Sequence, residues 1–259
     1  MKTNVCGIEF YYEVRGEGYP LVMIMGWGGN KDWWPELFLQ NLEKNYKLIL
    51  IDNRGSGRTG ESEGLYSISQ FAKDTIELLN HLDIAEAHFF GISMGGMIVQ
   101  EITLCYPNRV KKLILGCTTC GIKNGVSFSY GIFEAFIKQL LFRDQNLKQF
   151  LVSLAFSRQT RDMAVREFIK NAAIAPISEK NRWKQFFACI SFDSFSRLKD
   201  INKPTLIMTG TKDILISPKN SEILSKQIPN SQLIKFHGMS HAFISDAPDK
   251  VYEEIIRFL

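Results

Sequence analysis

The feature that most constrains the fold of this chain is an aromatic run that ends in Gly-x-Ser-x-Gly and passes at once into a helical pattern, at residues 88–97. A strand that turns sharply into a helix places its serine at the apex, with backbone dihedral angles in a strained region. Gly91 and Gly95 lack the Cβ atoms that would collide in so tight a turn. The stretch therefore predicts that Ser93 points out of a sheet and that the Met94 amide, at the start of a helix, faces developing negative charge. The alternative is a purely structural turn with a solvated serine.

The bulk composition fits one large α/β domain, or a core domain with an insertion, because 45% of the 259 residues are hydrophobic and 22% are charged. No apolar run of about 18 residues appears, so we expect no membrane span. The first residues lack the apolar stretch of a signal peptide. A net charge of +4 is too small to argue for nucleic-acid binding.

Cysteine usage favours a cytoplasmic protein with reduced thiols, because the five cysteines are odd in number and scattered. Two of them, Cys117 and Cys120, form a lone CxxC without a second pair. We interpret these two as buried thiols after a strand, and metal or redox use is the alternative.

Strand and helix patterns alternate through most of the chain. Apolar or aromatic runs predict strands at residues 8–14, 21–25, 47–52, 88–92, 110–117, 203–210 and 232–236. Helical spacing, capping signals or a starting proline predict helices at residues 33–42, from 68 to about 82, from 94 to about 106, from 218 onward and at 249–259. This alternation is typical of an α/β fold with a doubly wound, mostly parallel sheet.

The alternation of strand and helix patterns stops between about residues 118 and 200, where no clear strand pattern occurs. Helical stretches are predicted at residues 133–142, 147–156, 161–173 and 178–190. The segment holds 11 of the 19 phenylalanines, which is more than short helices need to cover a core, so we expect some rings to line an apolar pocket. We predict a core made of residues 1–117 and 201–259, with residues 118–200 as a helical insertion.

A serine nucleophile needs a base within hydrogen-bond reach and a carboxylate that orients the base. The chain has four histidines. His81 lies in a predicted helix, and His88 opens the strand that leads to Ser93. In a parallel sheet, catalytic groups gather on loops at the carboxyl ends of strands. His241, on the loop after the last strand, fits this rule, and His237 at the end of that strand is the alternative.

The acid should also follow a strand. Asp213 lies just after the predicted strand at residues 203–210, whereas residues 117–121, after the preceding strand, hold no acid. The chain order serine, aspartate, histidine is the one expected for this architecture. A helix-capping or loop aspartate is the alternative for Asp213.

These features together resemble the α/β-hydrolase superfamily over nearly the whole length. Four motifs carry the resemblance: Met25-Gly26-Trp27-Gly28, Asp52-Asn53-Arg54-Gly55-Ser56-Gly57, Gly91-Ile92-Ser93-Met94-Gly95, and Gly210-Thr211-Lys212-Asp213 followed by Ser240-His241. The resemblance implies that Ser93 is the nucleophile, Asp213 the orienting acid and His241 the base.

The resemblance also implies that the helical insertion is a lid and that the backbone amides of Trp27 and Met94 form the oxyanion hole. The family's first loop usually reads His-Gly, and here Met25 replaces the histidine. We interpret the Asp52/Arg54 loop as structural, with an ion pair that holds glycine-rich backbone near the site.

The implied activity is a serine hydrolase that cleaves carboxylic esters of small to medium acyl substrates. This chemistry needs no metal and no organic cofactor. An enol-lactonase, a carbon–carbon bond hydrolase and a perhydrolase use the same triad, so they remain alternatives. A ligand receptor with a nearly silent triad is the alternative from a different class.

Charge is unevenly distributed along the chain. Residues 118–200 carry 13 basic and seven acidic residues, a net +6, whereas the remainder carries −2. A basic lid would steer a negatively charged partner to the entrance. One such partner is an acidic acyl carrier protein, since the chain resembles esterases of biotin synthesis that cleave a methyl ester from a carrier-bound acid. A small anionic substrate is another such partner. The alternative is that these charges lie on exposed helix faces and have no partner to steer.

Overall fold

The computed structural model describes residues 1–126, 154–157 and 161–259. Its strands are β1 (Lys2–Val5), β2 (Ile8–Arg15), β3 (Tyr19–Ile24), β4 (Tyr46–Ile51), β5 (Ala87–Ile92), β6 (Val110–Gly116), β7 (Thr205–Gly210) and β8 (Ser231–Phe236). The described helices are α1 (Glu36–Leu42), α2 (Ile68–His81), α3 (Met94–Cys105), α4 (Arg161–Ile174), α5 (Glu179–Ser191), α6 (Pro218–Gln227), α7 (Phe243–Asp246) and α8 (Pro248–Phe258).

The strands form one eight-stranded sheet in the order β1-β2-β4-β3-β5-β6-β7-β8. The pairs β1–β2 and β2–β4 are antiparallel, and every other pair is parallel. The prediction of an α/β fold with a mostly parallel, doubly wound sheet is therefore confirmed.

Alternate residues of the central strands pack into two apolar layers, one on each face of the sheet. Val22 and Ile24 of β3 pack with residues of α2 and α3. Leu21 and Met23 of the same strand pack on the other face, with α1 and α8. Burial on both faces explains why β3 reads as a continuous apolar run rather than an alternating one.

Two elements at the N-terminal side differ from the sequence expectation. β1 was not predicted, because Lys2–Val5 has too little apolar character to show a strand period, and it forms by antiparallel pairing with β2. The helix predicted at residues 33–42 is split into a 3-10 turn, Lys31–Trp33, and α1. Pro35 causes the split, since it holds Trp34 in an extended conformation at ψ 131° and leaves α1 to begin at Glu36.

The glycine-rich loop after β4 is held by two buried carboxylates. Asp52 accepts hydrogen bonds from the Lys31 and Arg58 amides at 2.8 and 2.9 Å. Arg54 instead pairs with Asp74 of α2 through two hydrogen bonds of 2.8 and 2.6 Å. The expectation of an ion pair that holds this loop is confirmed, although Arg54 pairs with Asp74 of a neighbouring helix and Asp52 with Arg58 at 3.5 Å, rather than with each other.

The chain between β6 and β7 contributes α4 and α5, close to the helices predicted at residues 161–173 and 178–190. The helix predicted at residues 133–142 and most of the one at 147–156 lie outside the described residues. The division into a core of residues 1–117 and 201–259 and an insertion of residues 118–200 stays a prediction. Among the helices of the described ranges, none combines the length and apolarity that crossing a membrane requires.

His88 opens β5 in a buried position, 5% exposed, against the rings of Tyr19 and Tyr46. Burial, aided by the positive charge of Lys112, lowers its pKa from 6.5 to about 4. Lys111 adds to the lowering, and the Glu86 carboxylate opposes it. The imidazole is therefore neutral in the folded protein at pH values where it would be charged in the unfolded chain.

This burial predicts acid sensitivity. Below pH 6.5 the unfolded chain binds a proton that folded His88 resists until about pH 4, so stability falls as the pH drops through that window. Replacing His88 by Leu should flatten this part of the curve, measured as urea midpoints of both proteins between neutral pH and pH 4. Parallel loss of stability in the two proteins would contradict the assignment, and His81→Leu, at an exposed histidine, is the control.

Candidate active site

Ser93 occupies the turn between β5 and α3, with φ 55° and ψ −117°. Its amide donates to the Gly116 carbonyl at 2.8 Å, and its carbonyl accepts from the Thr118 hydroxyl at 2.7 Å. A Cβ on Gly91 would collide with the backbone of Gly95. Only a residue without a side chain permits this approach of strand and helix, so the turn fixes Ser93 in its positive-φ conformation.

Asp213 and His241 form a hydrogen-bonded pair. His241 Nδ1 lies 2.7 Å from Asp213 Oδ2. The other carboxylate oxygen of Asp213 accepts the amides of Leu215 and Ile216, both at 2.9 Å. The Asp213 side chain is fully buried, whereas that of His241 is 16% exposed. Three hydrogen bonds therefore hold the carboxylate in place while the imidazole keeps its outer edge accessible.

The loops that carry this pair pack against each other. Asp213 follows β7, and its amide donates to the Gly210 carbonyl at 3.2 Å. Lys212 donates its amide to the Met239 carbonyl at 2.8 Å, which joins the loop after β7 to the loop after β8. A Cβ on Gly210 would collide with the Met239 and Ser240 carbonyls. The glycine thus allows the His241 loop to lie directly on the end of β7.

The remaining histidines lie elsewhere. His237, the alternative base, is exposed at the end of β8, and His81 is exposed at the end of α2. His88 is buried at the far end of β5 from Ser93. Of the four, the structure brings His241 to Asp213.

The loop after β3 passes directly beside the serine. A Cβ on Gly26 would lie 3.0 Å from the Ser93 Cβ. Trp27 and Met94 line the same cavity as Ser93 and His241. Met94 is the first residue of α3, so its amide belongs to the donors for which a helix has no internal acceptor.

The cavity above Ser93 has a volume of about 360 Å³ and is lined mainly by apolar side chains. Trp33 and Trp34, between β3 and α1, and Met97 of α3 contribute to the lining. The chain between β6 and β7 contributes Phe156, Phe168, Phe186, Cys189 and Ile190. Three of the described phenylalanines of that segment therefore line the cavity, and Arg182 is the charged residue among the described lining residues.

A thiol lies behind the Asp213–His241 pair. Potential ligand atoms of Cys117, Asp213 and His241 all lie within 4.8 Å of one another. Burial and the negative charge of Asp213 raise the pKa of Cys117 well above its usual value, so the thiol keeps its proton. A metal would have to displace the proton of this thiol, and His241 Nδ1 is already engaged by Asp213. The three residues therefore fit a hydrogen-bonded cluster better than a metal site, and Cys117 and Cys120 are both free, buried thiols.

Sequence reasoning missed Gln185, which is fully buried in α5 and bonded to the loop after β3. A glutamine between Lys184 and Phe186 gives no pattern that separates a buried, bonded amide from an exposed one. Its role depends on which loops meet α5 in space.

With this geometry established, comparison with known proteins identifies the family. A profile described as alpha/beta hydrolase fold matches residues 19–248. The putative carbamate hydrolase RutD of Azorhizobium caulinodans is 30% identical over 260 residues, which cover 96% of this chain and 94% of that protein. A pimeloyl-[acyl-carrier protein] methyl ester esterase of Nitrosospira multiformis is 24% identical over 97% of this chain and 98% of its own length.

Among solved structures, an esterase from Exiguobacterium antarcticum superposes with a TM-score of 0.89 at 24% identity, over 99% of this chain and 98% of that one. At that identity the likeness concerns the fold. The profile match and the 30% identical relative carry the conclusion that the chain belongs to the α/β-hydrolase fold family, a family of hydrolases.

Proposed function

We propose that this protein is a serine hydrolase that cleaves carboxylic esters of small to medium acyl substrates through an acyl-enzyme. The observation that carries the proposal is the 2.7 Å contact between His241 and Asp213, at a cavity that Ser93 also lines. A histidine oriented by a buried carboxylate beside a strained serine is the arrangement that activates a hydroxyl at neutral pH.

The roles follow from which atoms are engaged. Asp213 holds the Nδ1 edge of His241, so Nε2 is the edge that takes the Ser93 proton as the hydroxyl attacks the ester carbonyl. The amides of Trp27 and Met94 stabilise the oxyanion, and such donors contribute about 3–4 kcal/mol each. The alcohol leaves with the proton from His241, and water then cleaves the acyl-enzyme. Neither a metal nor an organic cofactor takes part in this sequence.

The cavity supports an apolar acyl group as the bound part of the substrate. Its volume of about 360 Å³ suits a small to medium ligand, and aromatic rings form much of its wall. Residues 118–200 act as the lid in this proposal, because α4 and α5 supply Phe168, Phe186 and Ile190 to the cavity. The lid then sets which acyl chains fit.

A carbamate is a second candidate substrate class, favoured by the relative that is named a putative carbamate hydrolase. A carbamate carbonyl meets the same nucleophile and the same oxyanion donors. Lactones, carbon–carbon substrates and peracid formation also use such a triad, and a silent receptor would bind without turnover. A panel of acyl esters, lactones and carbamates, tested against wild type and Ser93→Ala, separates these activities.

The triad assignment predicts that Ser93→Ala, Asp213→Ala and His241→Ala each lower kcat on a p-nitrophenyl ester by about 10⁴-fold or more. Double replacements should add little, because the three residues act as one unit. His237→Ala, which changes an exposed histidine four residues before His241, should keep activity near that of wild type. Near-full activity of Asp213→Ala would show that the acid lies elsewhere.

A serine-directed phosphonate tests the nucleophile separately. It should label Ser93, located by peptide mass spectrometry, and labelling should disappear in Ser93→Ala. Ser56 and Ser240 are both buried and hold other positions in the site loops. Label on either of them would contradict the assignment of Ser93.

We propose an acidic acyl carrier protein as the source of a bound ester. Two observations support it: the net +6 of residues 118–200, and the relative named as an esterase of an acyl-carrier-protein methyl ester. Part of that charge is engaged within the chain, since Lys180 pairs with Glu61 and Arg197 with Glu101. Arg166 and Lys170 are exposed on α4.

Steering by the lid predicts that kcat/KM on a carrier-bound ester falls steeply as salt rises, whereas a neutral small ester is barely affected. Paired charge reversals among Arg158, Arg161 and Arg166 should raise KM for the carrier-bound substrate alone. Arg158 and the side chain of Arg161 lie outside the described residues. Equal salt dependence of the two substrates would contradict the partner and leave the ester-hydrolase proposal in place.

A further inference from the structure

We propose that Gln185 is a positioning residue that sets the oxyanion hole, so that the geometry of the hole depends on α5 being docked on the core. The inference rests on the proposed function and assigns a role to a residue outside the triad. It concerns a physical link between the helix that covers the cavity and the loop that carries the Trp27 amide.

Gln185 uses its whole side-chain amide in bonds to two loops. Its Oε1 accepts the Gly28 amide at 2.8 Å. Its Nε2 donates to the Arg54 carbonyl at 3.1 Å and to the Ser56 hydroxyl at 2.8 Å. The side chain is fully buried, so water does not replace these bonds when one is lost.

The same helix also holds the side chain of Trp27. The indole Nε1 donates to the Arg182 carbonyl at 2.9 Å, and the Trp27 ring contacts Phe186 at a centroid distance of 5.9 Å. Gln185 fixes the peptide that joins Trp27 to Gly28 by accepting the Gly28 amide, and Gly28 itself has a φ of 72°. Trp27 is therefore held by α5 on its side chain and on the peptide that follows it, and the direction of its own amide depends on both restraints.

The support continues into the core. The Arg54 guanidinium is bonded twice to Asp74 of α2, and both side chains are buried. The carbonyl of Arg54 is one of the acceptors that Gln185 uses. Met25 lies at the start of the loop and offers no side-chain hydrogen-bond donor to hold it. One line of polar support for the loop thus runs from α2 through Arg54 and Gln185 to Gly28, and Asn53 donates separately to the Met25 carbonyl at 3.2 Å.

Asn181 provides a matched control on the same helix. It is 5% exposed, accepts the Tyr66 hydroxyl at 2.9 Å and donates to Glu61 at 2.7 Å. These two bonds anchor α5 to the core, and neither of them involves the loop after β3. Replacing Asn181 by Leu removes a comparable buried anchor and leaves the Gly28 bond intact.

The experiment compares Gln185→Met, Gln185→Asn and Asn181→Leu on a p-nitrophenyl ester. Methionine keeps about the volume of glutamine without its amide donor and carbonyl acceptor, and asparagine keeps the amide on a side chain one methylene shorter, which withdraws it from Gly28. Both Gln185 variants should lose about 10- to 100-fold in kcat, a part of what removal of an oxyanion donor costs, with KM within about threefold of wild type. Asn181→Leu should keep kcat within about threefold, although its melting temperature falls.

Inhibition by a trifluoromethyl ketone adds a second readout, because this inhibitor binds as a tetrahedral oxyanion. Its affinity reports on the oxyanion hole and does not change through loss of stability alone. Its inhibition constant should rise in the Gln185 variants by the same factor as kcat falls. If one Gln185 variant does not fold, the other carries the comparison. Unchanged kcat in a folded Gln185 variant, or an equal loss in Asn181→Leu, overturns the inference. Neither result touches the proposed function, which fails instead if Ser93→Ala still turns over the ester.

Discussion

The site depends on the close approach of β3, β5 and α3 at the turn that holds Ser93. A left-handed φ of 55° at a serine costs on the order of 1–3 kcal/mol, and the surrounding backbone holds it there. A Cβ on Gly95 would collide with the Ile24 carbonyl, and one on Gly26 would lie 3.0 Å from the Ser93 Cβ. The same contacts place the end of β3 beside the serine, so Ser93 and the loop after β3 are fixed together.

The sheet brings the other groups to this turn by topology. Strands β3, β5, β6, β7 and β8 are mutually parallel, so the loops that follow them open at one edge. Asp213 follows β7 and His241 follows β8, and the bond between them crosses from one loop to the next. The chain between β6 and β7 then adds two things at this edge: further apolar wall for the cavity and further hydrogen bonds to the loop after β3.

Much of the fold was predictable because burial on both faces of a sheet leaves long apolar runs, as in β3 and β5. The polar strand β1 could not be predicted in this way, since its strand conformation comes from pairing with β2. The meeting of Asp213 and His241 was predictable, because both follow strands of a parallel sheet and stand in the expected chain order. The partner of Arg54 and the role of Gln185 were not, because each depends on a helix distant in sequence that packs against the loop.

The proposed ester cleavage passes through an acyl group on Ser93. Rapid chemical quench of the enzyme with excess p-nitrophenyl ester, followed by intact-protein and peptide mass spectrometry, tests it directly. We expect a burst of p-nitrophenol close to one equivalent per protein, with the mass of one acyl group on the peptide that contains Ser93. Turnover with no acylated protein at any time, or acyl groups on another residue, would contradict it.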